Sequence, residues 1–335
     1  MKNKKVVIRV DGNSKIGLGH IYRGIAIAHM LKNDFDIEFI IRTDSDILPL
    51  KEINFKYTNL PANISITNEP LWFKENYSSE NTILILDGYQ FDDKFQKRIK
   101  ENNFKLVYID DMVSFHQYAD VVINHSPGIK EEDYSAEPYT KFALGTDYAL
   151  LRPAFLKAAK QARKISKIDT AFVCFGGSDI YDLSYTVSKS LLEIEQINKI
   201  NVVIGNAYKH TKIFMLGNIK INIYKNLSEK DLLKIMLESN IGITSASTIL
   251  FELACVKMPI ISGISAENQK HIYQSFYHKN AIFGIDNFKN ITIENIIKAI
   301  KTTLLSNNTS SQIENQQKLF DGKAKERLIK VIKNI

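Results

Sequence analysis

The sequence predicts an α/β protein of two domains, each with a parallel sheet covered by helices on both faces. Short apolar runs alternate with amphipathic stretches along most of the chain, which is typical of this class. The alternation occurs in two series, separated by a polar, basic segment at 158–167. The length of 335 residues suits two domains of about 150 residues each. We therefore expect one domain over 1–157 and another over 168–335, with the C-terminal helix packing back on the first.

The first series contains the pattern of buried strands followed by helices. Five short apolar runs predict strands, since parallel strands are buried on both faces. An amphipathic stretch behind the first of these strands and a polar segment behind the third predict helices. The predicted strands are 5–10, 37–41, 82–86, 105–109 and 120–123, and the predicted helices are 21–31 and 91–102.

The second series repeats this alternation with different residues. The same patterns predict strands at 170–175, 201–204, 219–224, 241–244 and 259–262 and helices at 183–195, 232–237 and 249–256. The tail has a polar break at 306–312 and a predicted helix at 323–332. Two α/β domains of similar size predict a ligand site in a cleft between them, at the carboxyl ends of the strands.

Composition excludes several classes of protein. The chain is 44% hydrophobic and 24% charged, as globular proteins are, and its apolar runs are far shorter than the roughly 20 residues of a membrane span. The basic start leads into a strand pattern rather than a secretory segment, so we expect a cytoplasmic protein. The net charge of +7 is spread along the chain, so no nucleic-acid partner is expected. Two distant cysteines, Cys174 and Cys255, support neither a disulfide framework nor a zinc site.

A glycine-containing loop follows the first strand. Gly17 and Gly19 come just before His20, at the start of the predicted helix. A helix start offers free N–H groups to an anion, but Tyr22 stands where a dinucleotide fingerprint needs its third glycine. His20 is our candidate general base, because a histidine changes protonation near neutral pH. The alternative is that His20 only caps or packs the helix.

Acidic and aromatic residues follow other strands of the first domain. Asp87 and Tyr89 follow one strand, the pair Asp110 and Asp111 follows the next, and His125 follows a third. Parallel strands would bring all of them to the edge where His20 lies. A carboxylate there can orient the imidazole, bind sugar hydroxyls or share acid–base work. The alternative is that these acids cap the helices that follow. No histidine pair has a metal-site spacing, so we expect neither a metal nor a cofactor.

The second domain carries candidate anion-binding positions. A glycine turn after its first strand predicts a phosphate cradle at a helix start, and a cluster of hydroxyls opens a later helix. The helix acid Glu252 could accept hydrogen bonds from a ribose. Ordinary turn geometry and helix capping are the alternatives. The candidate substrate-binding residues of this domain are Gly176, Gly177, Ser178, Ser245, Ser247, Thr248, Glu252, Asn268 and Gln269.

These residues carry a family resemblance over about 5–275. The motif R-x-D-x-x-x-x-I-G-x-G-H-x-x-R at 9–23, the D-x-Y element at 87–89 and the segment from Tyr148 to Arg152 resemble the UDP-2,4-diacetamido-2,4,6-trideoxy-β-L-altropyranose hydrolase family of pseudaminic acid biosynthesis. The pair Asp110 and Asp111, the G-G-S-D element at 176–179, the S-A-S element at 245–247 and the Asn-Gln pair also match; the glycine and Asn-Gln elements are shared with the wider GT-B glycosyltransferases. The resemblance implies a GT-B fold with two Rossmann-like domains facing across a cleft, and UDP held mainly by the second domain.

The resemblance also implies a reaction. It is metal-independent hydrolysis of the bond between the anomeric carbon and the diphosphate, with inversion. His20 matches the catalytic histidine, and Arg152 and Glu252 match positions expected to contact the nucleotide sugar. We expect the partner to be this small molecule and the protein to be a monomer. A GT-B glycosyltransferase, a hydrolysing UDP-sugar 2-epimerase and a non-catalytic nucleotide-sugar-binding protein are the alternatives.

Overall fold

The chain divides into two compact units, described from a computed structural model that covers residues 4–13, 16–306 and 309–335. The first unit is Met1–Pro153 with Lys323–Ile335, and the second is Ala154–Gly322. The first division lies four residues before the predicted end of the first domain at 157. Residues 14–15 of the glycine loop and 307–308 of the predicted polar break lie outside the described residues.

The first unit is built on a parallel sheet, as predicted. Within the described residues it has seven strands, in the order β3-β2-β1-β4-β5-β6-β7. Every pair in this sheet is parallel, as an alternation of strands and helices requires. The strands are β1 Lys5–Val10, β2 Asp36–Arg42, β3 Lys56–Leu60, β4 Thr82–Asp87, β5 Lys105–Ile109, β6 Val121–Asn124 and β7 Lys141–Leu144; the first four helices are α1 Gly19–Leu31, α2 Leu48–Glu52, α3 Glu69–Asn76 and α4 Asp93–Glu101.

The second unit repeats this architecture. Its described residues form six parallel strands in the order β10-β9-β8-β11-β12-β13. The helix α5 Pro153–Ala159 begins at the division between the units. The strands are β8 Thr170–Cys174, β9 Lys199–Ile204, β10 Ile221–Lys225, β11 Ile241–Ser245, β12 Ile260–Ile264 and β13 Phe283–Asn287; the helices that follow are α6 Leu183–Leu192, α7 Glu229–Glu238, α8 Thr248–Val256, α9 Lys270–His278, α10 Ile293–Leu305, α11 Thr309–Leu319 and, back in the first unit, α12 Ala324–Lys333.

The segment 158–167, predicted as a boundary, belongs to the second unit. Lys257 is 1% exposed, and its ammonium donates to the carbonyls of Ala159 and Gln161. The Arg163 guanidinium donates to the carbonyls of Leu237 and Ser239 just after α7. Cations that satisfy carbonyls at a helix end are stabilising, so these two side chains fix the polar segment to its own unit.

The predicted polar break at 306–312 was wrong from Thr309 onward, where α11 begins. The buried face of α11 includes two polar side chains, Gln312 and Gln316. Gln312 accepts a hydrogen bond from the backbone N–H of Ile260, and Gln316 donates to the carbonyls of Met258 and Ala281. Buried amides that satisfy neighbouring backbone groups do not show as hydrophobic periodicity. The strands β3, β7 and β13 were also missed, because β3 and β13 contain polar residues and β7 has only four residues.

Two further features follow from the fold. No helix among the described residues is long and apolar enough to cross a membrane. Cys174 and Cys255 are both buried free thiols, and burial raises the pKa of Cys255 well above its usual value.

Candidate active site

The predicted site residues of each unit gather where the order of strands reverses. In the first unit β1 lies beside β4, so the loops after these strands leave in opposite directions and open a crevice at their carboxyl ends. His20 follows β1 and Asp87 ends β4. In the second unit β8 lies beside β11. Gly176 follows β8 and Ser247 follows β11, so this crevice carries the candidate anion-binding residues.

His20 and Asp87 form a close pair in the first crevice. The two side chains are buried, and His20 Nδ1 lies 2.6 Å from Asp87 Oδ1. Their sequence separation of 67 residues is bridged by the pairing of β1 with β4, whose register places Val10 beside Asp87. A carboxylate on one ring nitrogen leaves the other nitrogen for chemistry.

Arg23 lies one helical turn after His20 and completes the cluster. Its Nε is 3.0 Å from Asp87 Oδ2, and its Nη2 is 2.7 Å from Asp87 Oδ1. Its Nη1 donates to Asp111 Oδ2 at 2.8 Å. The side chain is buried; burial would lower its pKa, but the two carboxylates raise it above the ordinary value. Arg23 therefore bridges both acids as a permanent cation.

The positions of these groups define which nitrogen of His20 carries the proton. Arg23 Nη2 also lies 2.8 Å from His20 Nδ1, and one nitrogen cannot both accept from Arg23 and donate to Asp87. An ionised Asp87 has no proton to give, so Nδ1–H donates to Asp87 and the Arg23 N–H groups donate to the carboxylate. Nε2 then holds the free lone pair that a general base needs.

The charge of Asp87 is held by its partners. Burial alone would raise the pKa of its carboxyl, but the positive charge of Arg23 and the contacts with His20 outweigh burial and bring the pKa below its ordinary value. Asp87 is therefore an anion at neutral pH, although its side chain is fully buried.

The neighbouring acids Asp110 and Asp111 have different tasks. Asp111 belongs to the cluster through Arg23, and the Tyr89 hydroxyl donates to it at 3.2 Å. Asp110 accepts the backbone N–H groups of Met112 and Val113 and a hydrogen bond from the Tyr134 hydroxyl. The paired carboxylates of the sequence are therefore one site acid and one acid that holds the turn.

Tyr89 and His125 line the same region. The Tyr89 ring meets the His20 imidazole edge-on, with centroids 5.0 Å apart, and is half exposed. His125 is buried, and its Nδ1 accepts the backbone N–H of Leu150 at 3.3 Å. Burial, with the nearby charge of Arg23, lowers the pKa of His125 to about 3, so it is neutral at physiological pH.

A second buried ion cluster supports the loop before His20. Arg9 is fully buried, and it binds Glu69 through two hydrogen bonds and Asp11 at 2.7 Å. Asp11 in turn accepts the backbone N–H of Arg42 and the hydroxyl of Ser45. The R-x-D part of the motif thus joins the ends of β1 and β2.

The glycines of this loop face open space, and Arg152 packs on a side chain of α1. Gly17 has a φ of +81°, which favours glycine, and a Cβ added at Gly17 or Gly19 would meet no atom within 4 Å. Arg152 lies over the ring of Tyr22, with its guanidinium carbon 5.4 Å from the centroid. The first turn of α1 is thus open at the glycines and flanked by a cation.

In the second unit, the glycine turn differs from the predicted cradle. Gly176 and Gly177 face open space, and Gly205 allows their backbone to come close, since a Cβ there would lie 2.5 Å from the Gly177 Cα. However, α6 begins at Leu183 rather than directly after Ser178. The Asp179 carboxylate accepts the N–H groups of Leu183 and Ser184. The helix thus begins at Leu183, as predicted for 183–195, and not at the glycine turn itself; the N–H groups of Leu183 and Ser184 are bound to Asp179.

The hydroxyl cluster opens a helix in the way an anion site requires. Ser247 is the N-cap of α8 but makes no capping hydrogen bond, and Thr248 is the first helical residue. Ser245 Oγ lies 3.5 Å from Ser247 Oγ. In the same loop Thr244 is tied to the carbonyl of Cys174, which joins the ends of β11 and β8. The N-terminal amides of α8 are thus not satisfied by the N-cap side chain.

The remaining candidates of the second unit are divided. Glu252 lies on α8 and is 4% exposed. Gln269 Oε1 accepts the backbone N–H groups of Ser265 and Ala266, so this amide oxygen shapes its own loop. Asn268 is next to it in the same short 3₁₀ turn, Glu267–Gln269. No group of three or more His, Cys, Asp or Glu side chains suited to a metal ion occurs in the part of the chain that the structure describes.

Arg23 belongs to the motif at 9–23, but the sequence does not predict a role for it. The available signal was the H-x-x-R spacing, which puts residues three apart on one face of a helix. The spacing does not predict which acids the guanidinium binds, because Asp87 and Asp111 are distant in sequence.

Comparison with solved structures defines the class of the fold. MurG of Acinetobacter baumannii has a TM-score of 0.66, with 12% identity, 99% of this chain and 100% of that one covered. The spinosyn rhamnosyltransferase SpnG, solved with thymidine diphosphate, has a TM-score of 0.67, with 10% identity over 98% of this chain and all of SpnG. The protein therefore has a GT-B fold with two Rossmann-like domains, which confirms the predicted class.

Three known proteins resemble the chain in sequence, at 25–29% identity. An uncharacterised protein of Methanocaldococcus jannaschii is 29% identical over 82% of this chain. The match spans only 58% of the length of that protein. The UDP-2,4-diacetamido-2,4,6-trideoxy-β-L-altropyranose hydrolase of Campylobacter jejuni is 28% identical, with 79% of this chain and 93% of that protein covered. The spore coat polysaccharide biosynthesis protein SpsG of Bacillus subtilis is 25% identical, with 84% and 83% covered. No family model matches the chain.

Proposed function

We propose that this protein hydrolyses a UDP-sugar of the 2,4-diacetamido-2,4,6-trideoxy-β-L-altrose type. The products are UDP and the free sugar with inverted anomeric configuration, in the biosynthesis of pseudaminic acid, a nonulosonic acid. The observation that carries the proposal is the buried pair of His20 and Asp87, which leaves Nε2 as a base at the carboxyl edge of the sheet. The similarity to the Campylobacter hydrolase supports the substrate class.

In the proposed mechanism, His20 Nε2 accepts a proton from water as that water attacks the anomeric carbon. General-base help of this kind contributes about 10²–10⁴-fold. Asp87 holds the ring in its tautomer and stabilises the imidazolium that forms. UDP leaves as a stable anion, so no general acid is required of the protein, and the mechanism is independent of a metal.

The nucleotide belongs, in this proposal, to the second unit. The hydroxyls of Ser245, Ser247 and Thr248 and the amides at the start of α8 would bind the diphosphate. The backbone of Gly176, Gly177 and Ser178 would add donors, and Glu252, Asn268 and Gln269 would contact the rest of the nucleotide. Donors of this kind stabilise the charge that develops on the leaving group.

The test is to incubate the protein with the UDP-sugar and follow UDP and the free sugar by NMR, which also reports the anomeric configuration. His20→Asn should lower kcat by about 10²–10⁴-fold while UDP affinity, measured by calorimetry, stays unchanged. Near-normal turnover in this variant would remove His20 from the mechanism.

A GT-B glycosyltransferase is the second candidate, favoured by the structural similarity to the rhamnosyltransferase SpnG. The same assay separates the two, because a hydrolase releases UDP with water alone. UDP release that requires an added acceptor would favour the transferase.

A further inference from the structure

A charge balance is built around His20. We propose that Arg23, held between Asp87 and Asp111, is a positioning residue that keeps His20 unprotonated before the reaction and lets it hold a proton during the reaction. The inference rests on the proposed function for its purpose, but the charge balance can be measured without substrate. The guanidinium nitrogens of Arg23 bind the two carboxylates, and its Nη2 also lies 2.8 Å from His20 Nδ1.

The titratable groups around the imidazole come from four elements, three of which supply a charge. Helix α1 supplies Arg23, the end of β4 supplies Asp87, and the turn after β5 supplies Asp111. The loop after β6 supplies His125, whose burial holds its pKa at about 3, so it adds no charge at neutral pH. With His20 neutral the group sums to one negative charge, and with His20 protonated it sums to zero.

The other titratable side chains nearby leave this balance unchanged. Tyr89 donates its hydroxyl proton to Asp111, so it is a neutral donor. Burial and the nearby carboxylates raise the pKa of Tyr108, so this side chain is uncharged too. Asp110 is turned to the backbone of its own loop and to Tyr134, and Arg152 lies over the ring of Tyr22.

The geometry of Arg23 explains why an arginine occupies this position. Its Nε and Nη2 bind the two oxygens of Asp87, while Nη1 reaches Asp111, so three nitrogens of one plane hold two acids. A lysine ammonium would keep the charge, but it lacks the planar fork that fixes both carboxylates. Charge and alignment are therefore separable by substitution.

The signs of the expected effects follow from the charge count. Without the charge of Arg23, the two carboxylates near His20 favour the imidazolium. His20 would then stay protonated up to a higher pH. Removing the charge of Asp111 leaves only the neutral pair of Arg23 and Asp87, which disfavours the imidazolium.

The experiment is a ¹⁵N NMR titration of histidine-labelled protein without substrate, with His20 assigned from the signals that His20→Gln lacks. Arg23→Gln should move the midpoint of the His20 titration to higher pH, and Asp111→Asn should move it to lower pH. Arg23→Lys should return the midpoint toward that of the unsubstituted protein. Arg98→Gln removes an exposed arginine of the same unit, bonded to the carbonyl of Thr67, and should leave the midpoint in place.

The same variants are then assayed for UDP release against pH. The pH at which the rate falls on the acid side should follow the NMR midpoint of each variant. Arg23→Lys should keep that pH but lower kcat about tenfold, because a lysine does not align the two carboxylates. Shifts of the same sign in Arg23→Gln and Asp111→Asn, or no shift, would overturn the proposal, as would a neutral His20 with its proton on Nε2. If Arg23→Gln does not fold, the downward shift in Asp111→Asn decides alone. Opposite NMR shifts without UDP release would uphold the charge balance and reject the hydrolase.

Discussion

At the scale of single residues, the chemistry of His20 depends on the group that binds its second nitrogen. Asp87 lies 2.6 Å from Nδ1 and is itself held by two nitrogens of Arg23. The imidazole is thereby fixed in orientation and in tautomer. A histidine without such a partner would divide its proton between both nitrogens.

The Asp87→Asn substitution tests this dependence. An asparagine amide can donate to Nδ1 and place the proton on Nε2, so we expect kcat to fall by about 10²–10⁴-fold. UDP binding should be retained, because Asp87 belongs to the first unit. Rates of UDP release and calorimetric UDP affinity check this. The control is Asp92→Asn, at the N-cap of α4, where asparagine also caps well and the rate should not change.

The ionised state of Asp87 also predicts how stability depends on pH. Its pKa lies below the ordinary value in the folded protein, so it stabilises the fold above the ordinary pKa of about 3.9. This contribution is lost as the pH falls through the folded pKa. Urea unfolding at a series of pH values between about 6 and 3 should show a decline that is shallower in Asp87→Asn. Equal slopes in the two proteins would contradict the prediction.

At the scale of elements, the loops after the strands depend on close backbone packing. Gly205, after β9, lies against the Gly177 backbone, and a Cβ at Gly205 would be 2.5 Å from the Gly177 Cα and 2.6 Å from its carbonyl oxygen. Real Cβ atoms do not approach backbone so closely. The glycine turn after β8 can therefore hold its conformation only beside another glycine.

We expect Gly205→Ala to destabilise the protein by about 1–3 kcal/mol, because the glycine turn must shift to admit the methyl group. The matched control is Gly177→Ala, whose added Cβ meets nothing within 4 Å and whose φ is not in the left-handed region. Urea unfolding of the two variants gives the comparison. A similar free energy of unfolding for both would show that the turn has room to adjust.

Helix starts show how local sequence can be misread at this scale. The second unit has two helices that follow glycine or hydroxyl-rich loops, α6 and α8. Asp179 occupies the amides of α6, whereas Ser247 leaves those of α8 without a side-chain cap. Both loops predict an anion cradle, but a carboxylate binds the first amides of α6, whereas the N-cap side chain of α8 makes no such bond.

At the scale of the whole molecule, the chain returns to its first unit at the end. Helix α12 packs on α1, the helix that carries His20 and Arg23, and on the 3₁₀ turn Thr146–Tyr148. Leu328 and Ile332 are fully buried there. The final residues therefore support the helix of the candidate site, although they are the farthest from it in sequence.

Leu328→Ala should cost about 2–5 kcal/mol, since it removes a buried leucine side chain. The loss should be felt in the first unit, so hydrogen exchange should quicken in α1 more than in α6. Lys330→Ala, on the exposed side of the same helix, is the control and should change neither. Equal quickening in α1 and α6 would show that α12 does not act through its own unit.

The sequence by itself determined the class of fold and the place of the histidine. Buried parallel strands and amphipathic helices repeat with short local periods, so the alternation could be read twice along the chain. The glycine loop placed His20 at the start of α1 for the same local reason. Polar strands such as β3 and the polar helix α11 escaped, since their burial is decided by partners elsewhere.

Only the tertiary structure decided which groups surround that histidine. The sequence offered Asp87, Asp110 and Asp111 on similar terms, but strand order brings Asp87 onto His20 and Asp111 onto Arg23, and turns Asp110 to its own loop. Pairing between β1 and β4 joins residues more than 60 positions apart, and no local period records it. The charge around His20 is therefore a property of the assembled sheet, because it is the sum of side chains that only folding brings within reach of one another.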